Sequence, residues 1–143
     1  MIEYIDHIAI AVHDIDASLS YYMNELCLDL VHDELLPEVG VRLAYLHAGN
    51  TMLQLVQPTR DGAIARFLTE RGESLHHVCF AVDDIPVVLD RLRGEGEAQV
   101  FMGGRGRRCA FLLNHPNGLI AELTETRPLT MGADERLLEG IAE

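Results

Sequence analysis

An internal repeat is the feature that most narrows the folds open to this chain. The segment DHIAIAVHDI at residues 6–15 aligns with HHVCFAVDDI at residues 76–85, and the alignment pairs His7 with His77. Apolar residues recur at helical spacing after each copy, and about three strand-like segments follow. The sequence therefore predicts an α+β fold built from two pseudo-symmetric βαβββ modules.

The repeat also sets the predicted boundaries within a single domain. Module 1 covers about residues 1–58, and module 2 covers about residues 74–126. A connecting helix is predicted over residues 61–70, and the C-terminal tail 127–143 carries the pattern of a short helix at 133–142. The candidate N-caps of the two module helices are Asp14 or Asp16 and Asp83 or Asp84.

Composition excludes several classes of partner. The 143 residues include 11 basic and 23 acidic side chains, for a net charge of −12, which opposes binding to nucleic acid or to an anionic membrane. No apolar run is long enough for a membrane span, and the first residues lack an export signal, so a cytoplasmic location is predicted. Three scattered cysteines are too few for a disulfide framework or a zinc knuckle.

Strand alternation places both repeated histidines on a face lined by small residues, which leaves space in front of each imidazole. The segment MLQLV at 52–56 aligns with IAELT at 120–124, so an amide and a carboxylate also occupy equivalent positions in apolar strands. Mixed nitrogen and oxygen ligands without thiolate suit Co²⁺, Ni²⁺, Mn²⁺ or Zn²⁺, and four of them leave two octahedral positions for water or substrate. The predicted metal ligands are His7, Gln54, His77 and Glu122.

The remaining histidines have no partner in the repeat. His76 points away from the face of His77 and is predicted to be structural or to support that ligand. The other four are expected at the surface, near element ends or in loops: His13, His32, His47 and His115.

Longer motifs, which are spread over most of the chain, are typical of a known family. They include LPEVGVRLAYLHAGNTMLQLVQP at 36–58, AIARFLTERGESLHHVCFAVDDI at 63–85 and GLIAEL at 118–123, with the string GE-x-x-HH as the most specific element. In these motifs the chain resembles the vicinal oxygen chelate (glyoxalase/bleomycin resistance) superfamily, and within it the methylmalonyl-CoA epimerases.

The resemblance implies a cup-shaped mixed β-sheet around one divalent metal, with Co²⁺ as the first choice. The family's ligands fall on the four residues already selected, and its metal-bound glutamate, here Glu122, acts as a base. The implied reaction is a 1,1-proton transfer, through an enolate, at the carbon next to the thioester of an acyl-CoA. A homodimer is also expected from this fold.

Two departures from the family pattern concern the substrate. Some epimerases carry a second glutamate two residues after a Gly-Val pair, where this chain has Leu43, and the final turn FLLNHPNGLIAEL is short and lacks the family's lysine. The glycine- and arginine-rich loop 103–108 is the only basic cluster and suits an anionic group, although a mobile hairpin with solvated arginines is the alternative. The predicted substrate contacts are Arg105, Arg107, Arg108 and Glu38.

Two other functions fit the same fold. A glyoxalase I-like lyase or isomerase would act on a glutathione adduct, and such enzymes commonly have glutamate where Gln54 stands. A non-catalytic small-molecule-binding module would use the same cup, but such modules usually lose the metal ligands.

Overall fold

The computed structural model of the protein describes residues 1–126, which fall into two compact units. The first unit comprises His7–His77, and the second comprises Met1–Asp6 together with residues 78–126. The predicted helix at 133–142 lies outside the described residues. Among those residues, no helix has the length and apolar character needed to cross a membrane.

The first unit contains strands in the order β2-β3-β4-β1. Strand β1 runs parallel to β4, and β3 is antiparallel to both β2 and β4. The elements of this part of the chain are β1 (Ile2–Ala11), α1 (Ile15–Ser20), a π-helical turn (Tyr21–Glu25), β2 (Asp29–Leu36), β3 (Val41–His47), β4 (Met52–Pro58), α2 (Ala63–Arg71) and β5 (Ser74–Val82).

Two apolar clusters hold the first unit together, one on each face of its strands. Helix α1 covers one face, where Ile15 packs with a buried set that includes Val12, Leu46 and Leu55. The cluster on the other face is formed by Ala9, Val41, Leu43, Tyr45 and Val56. Burial of this apolar surface stabilises the unit and fixes which strand residues face each side.

The second unit repeats the arrangement with the order β5-β8-β7-β6. Strand β5 runs parallel to β8, and β7 is antiparallel to β8 and β6. The remaining elements are α3 (Ile85–Arg91), β6 (Val100–Met102), a 3-10 turn (Gly104–Gly106), β7 (Arg108–Phe111), a second 3-10 turn (Pro116–Gly118) and β8 (Ala121–Glu125). The order of strands matches that of the first unit element by element, which confirms the predicted βαβββ modules.

Both module helices begin in the same way. Asp14 accepts a hydrogen bond from the backbone N–H of Ala17 at 3.2 Å, and Asp84 accepts one from Val87 at 3.1 Å, so one member of each predicted pair is the N-cap. A polar residue at the end of the parallel strand supports each helix start. The two bonds run from the N–H of Ile15 to Gln57 Oε1 (2.8 Å) and from the N–H of Ile85 to Glu125 Oε1 (3.1 Å).

Candidate metal centre

His7 and His77 face each other inside the first unit. Both side chains are buried, at 2% and 6% exposed, and their Nε2 atoms lie 3.3 Å apart. This separation is shorter than twice a zinc–nitrogen bond of about 2.0–2.1 Å, so both nitrogens can bind one ion. The small Ala9, two residues along β1 from His7 and on the same face, leaves room beside the imidazole.

His76 supports His77 from the other side of its ring. The Nδ1 atoms of the two rings are 2.7 Å apart, and the ring of His76 packs edge-on against Phe67 with centroids 4.7 Å apart. If His77 binds a metal through Nε2, its Nδ1 carries the proton and donates a hydrogen bond to Nδ1 of His76. Such a bond fixes the tautomer and orientation of a ligating histidine.

Gln54 brings an oxygen donor to the same unit. It is 3% exposed on β4, and its Nε2 donates a hydrogen bond to the hydroxyl of Tyr45 at 2.9 Å. Its Oε1 is buried and has no hydrogen-bond partner among residues 1–126. A buried acceptor without a donor costs about 1–3 kcal/mol, and a bound cation would satisfy it.

These observations test whether the donor set of the first unit fits a divalent metal. Two imidazole nitrogens close enough to share an ion and one amide oxygen without a hydrogen-bond donor make a mixed nitrogen–oxygen set without thiolate. That set suits the first-row divalent metals named above. His7, His77 and Gln54 therefore fit the divalent metal ion that the sequence predicts.

Glu122, the fourth predicted ligand, belongs to the second unit. It is 7% exposed on β8, between Cys79 of β5 and Phe111 of β7 in the strand register. Burial, followed by the charge of Glu122, raises the pKa of the Cys79 thiol well above its usual value. Burial therefore favours the neutral form of this thiol.

The arginines of the 103–108 loop are held by acidic side chains within the second unit. Arg105 forms an ion pair with Asp6, and Nη1 of Arg107 lies 3.5 Å from the same carboxylate. Arg108 pairs with Glu125, which its Nε contacts at 2.8 Å. The three guanidinium groups are thus mostly buried and paired, unlike the solvated arginines of the alternative interpretation.

Removal of the Asp6 charge should destabilise the protein. The carboxylate is buried, and Asp6→Asn removes the negative charge that pairs with two largely buried guanidiniums. We expect the free energy of unfolding to fall by about 3 kcal/mol in urea titrations. Asp90→Asn, at an exposed position on α3, is the matched control and should change it by less than about 0.5 kcal/mol. An equal effect of the two substitutions would contradict a structural role for the Asp6 pairs.

Three further positions clarify the predicted site. Glu38 lies in the turn between β2 and β3, where its carbonyl accepts a 2.6 Å hydrogen bond from Arg60. Leu43, at the position of the missing glutamate, is buried in an apolar cluster. The expectation that His32 lies near an element end or in a loop is wrong. His32 lies inside β2 with its ring 5.9 Å from that of Tyr45, because β2 continues through the polar stretch of residues 32–34.

Comparison with known proteins places the chain in a family. It belongs to the Glyoxalase/Bleomycin resistance protein/Dioxygenase superfamily, whose sequence pattern matches residues 6–111. It is 34% identical over 137 residues to the ethylmalonyl-CoA/methylmalonyl-CoA epimerase of Cereibacter sphaeroides, an alignment that covers 87% of this chain and 99% of that one. It is also 34% identical to human mitochondrial methylmalonyl-CoA epimerase, over 85% of this chain and 73% of the relative.

A solved structure shows the same fold. A variant of Streptomyces coelicolor methylmalonyl-CoA epimerase, in complex with 2-nitronate-propionyl-CoA, matches with a TM-score of 0.79 and 34% identity. The match covers 87% of this chain and 95% of that one. The resemblance predicted from the repeat and the GE-x-x-HH string is therefore confirmed. The predicted class of enzyme, an epimerase that acts on an acyl-CoA, is the class that these relatives' names give.

Proposed function

We propose that this protein is a methylmalonyl-CoA epimerase, which moves a proton on the carbon between the thioester and the carboxylate of its substrate. The observation that carries the proposal is the pair of buried histidines with facing Nε2 atoms, next to a strand that holds the unsatisfied oxygen of Gln54. It occurs in a chain 34% identical to two epimerases named for this substrate. The reaction is an epimerisation through an enolate.

The proposed metal ligands are His7, Gln54, His77 and Glu122. The first three belong to one unit, and Glu122 enters the proposal as the residue equivalent to Gln54 in the repeat. Co²⁺ is the preferred ion, with Zn²⁺, Ni²⁺ and Mn²⁺ as alternatives. A bound divalent ion would act as a Lewis acid toward the negative charge that develops on the substrate's oxygens.

The side chains of this protein have separate tasks in the proposed reaction. The Nε2 lone pairs of His7 and His77 would bind the ion, and His76 holds the orientation of His77. Glu122 takes or returns the proton of the substrate carbon. Leu43 has no group that can move a proton and lies in an apolar cluster, so the second proton transfer uses a group other than the side chain at this position.

Substrate contacts, location and assembly remain proposals as well. We propose Arg105, Arg107 and Arg108 of the 103–108 loop as contacts of the anionic part of an acyl-CoA, and Glu38 as a separate substrate contact. Ion pairs with Asp6 and Glu125 hold the guanidinium groups of these arginines in place. We further propose a cytoplasmic homodimer.

The proposed activity can be tested with a single epimer of methylmalonyl-CoA. Purified protein supplied with Co²⁺ should convert this epimer into the opposite one. A second enzyme that consumes only the opposite epimer measures the conversion. Conversion of the hemithioacetal of glutathione and methylglyoxal, with no epimerisation, would favour the glyoxalase I-like alternative. No turnover of either substrate would favour a binding module.

A further inference from the structure

The hydrogen bond between Gln54 and Tyr45 has a property that packing alone does not require. Both side chains are buried, at 3% and 1% exposed, and their backbones are direct neighbours across β3 and β4. The amide nitrogen faces the tyrosine hydroxyl at 2.9 Å, and the amide oxygen has no hydrogen-bond donor among residues 1–126. The two ends of one amide group are thus in different environments.

Only one end of an amide group is useful to a metal ion. A carboxamide presents an oxygen that can ligate a hard or borderline cation and an NH₂ group that cannot, and a half-turn about the last side-chain bond exchanges them. An acceptor that binds the NH₂ group selects one of these two orientations. The hydroxyl of Tyr45 is such an acceptor.

The second unit supplies an internal comparison. The repeat aligns Tyr45 with Phe111 and Gln54 with Glu122, and Phe111 and Glu122 are likewise direct neighbours across β7 and β8. A carboxylate offers an oxygen in either orientation, so it needs no group to select one. The hydroxyl is present beside the amide and absent beside the carboxylate, as this requirement predicts.

We propose that Tyr45 is a positioning residue, whose hydroxyl holds the Gln54 amide so that its oxygen is available to the metal. The inference rests on the proposed metal centre. The aromatic ring of Tyr45 makes a separate contact, because it packs edge-on against the ring of His7 with centroids 5.5 Å apart. Tyr45→Phe therefore removes the acceptor and keeps the ring.

The test measures metal affinity rather than turnover. Competition with a chromophoric chelator gives the dissociation constant of Co²⁺ for the whole protein and for Tyr45→Phe. We expect the substitution to weaken binding about 10–100-fold, the usual effect of removing a group that orients a ligand. Tyr22→Phe, beside the apolar cluster of helix α1, is the matched control and should leave the dissociation constant unchanged. Thermal unfolding of the metal-free proteins shows whether Tyr45→Phe is folded.

A second background separates positioning from a general structural effect. Gln54→Glu places a carboxylate in the first unit, and Tyr45→Phe in that background recreates the Phe–Glu pair of the second unit. If Tyr45 selects the amide orientation, its substitution should change the Co²⁺ affinity by less than about 3-fold in the Gln54→Glu protein. An equal loss in both backgrounds, or no loss in the wild-type background, would overturn the inference and leave the metal centre in place. No stoichiometric Co²⁺ binding by the wild-type protein would overturn the metal centre itself.

Discussion

Replacement of His77 with alanine is expected to abolish both metal binding and epimerisation. The substitution removes one of two buried nitrogens that lie 3.3 Å apart and also removes the partner of His76. Loss of one strong ligand from a mixed set of four leaves too few donors to retain the ion through purification. The measurement is metal content per chain by elemental analysis, together with turnover of one methylmalonyl-CoA epimer.

His115→Ala, at an exposed position outside the strands, is the matched control and should retain one metal per chain. His7→Ala should behave like His77→Ala, since the two residues occupy equivalent places in the repeat. Near-normal metal content in both ligand variants would show that the facing histidines are not the metal centre. That result would leave the family and the fold untouched.

Glu122→Gln is expected to separate metal binding from proton transfer. The new side chain offers a neutral amide oxygen, which is the donor type that Gln54 supplies at the equivalent place in the first unit, so metal should still bind. An amide cannot take up the substrate proton, and loss of a general base typically costs 10²–10⁴-fold in rate. Turnover at saturating Co²⁺ should therefore fall by about that factor, measured beside metal content.

Glu97→Gln, an exposed glutamate in the same unit, is the control and should leave turnover unchanged. Unchanged turnover in Glu122→Gln would exclude this carboxylate as the base. Loss of metal together with turnover would show that its charge is needed to hold the ion, which would contradict the expected separation of the two roles.

The sequence was sufficient for the fold because the repeat encodes it twice. Residues 6–15 and 76–85 carry the same alternation and the same capping aspartates, and the structure has matching strand orders in the two units. Alternation also placed His7 and His77 on buried strand faces, since the period of a strand fixes the side on which a residue lies. Arguments of this kind depend only on local periodicity.

The supporting contacts could not be predicted in the same way. Tyr45 and Gln54 are neighbours across two strands, and their hydrogen bond depends on the strand register, which the sequence pattern does not give. His76 was expected to be structural or supporting, but its bond to Nδ1 of His77 depends on side-chain rotation. The pairing of Arg105 with Asp6 joins residues 99 positions apart, and no local signal indicates it.

Solvent deuterium incorporation into methylmalonyl-CoA tests the central claim most directly. The substrate is incubated in D₂O with metal-free protein and with the same protein after addition of Co²⁺, and the mass of the recovered thioester is followed with time. We expect one deuterium per molecule at the carbon next to the thioester, together with loss of stereochemistry, only when the ion is present. No exchange by protein that binds one Co²⁺ per chain would contradict the proposed epimerase and assign the site to a different chelating substrate.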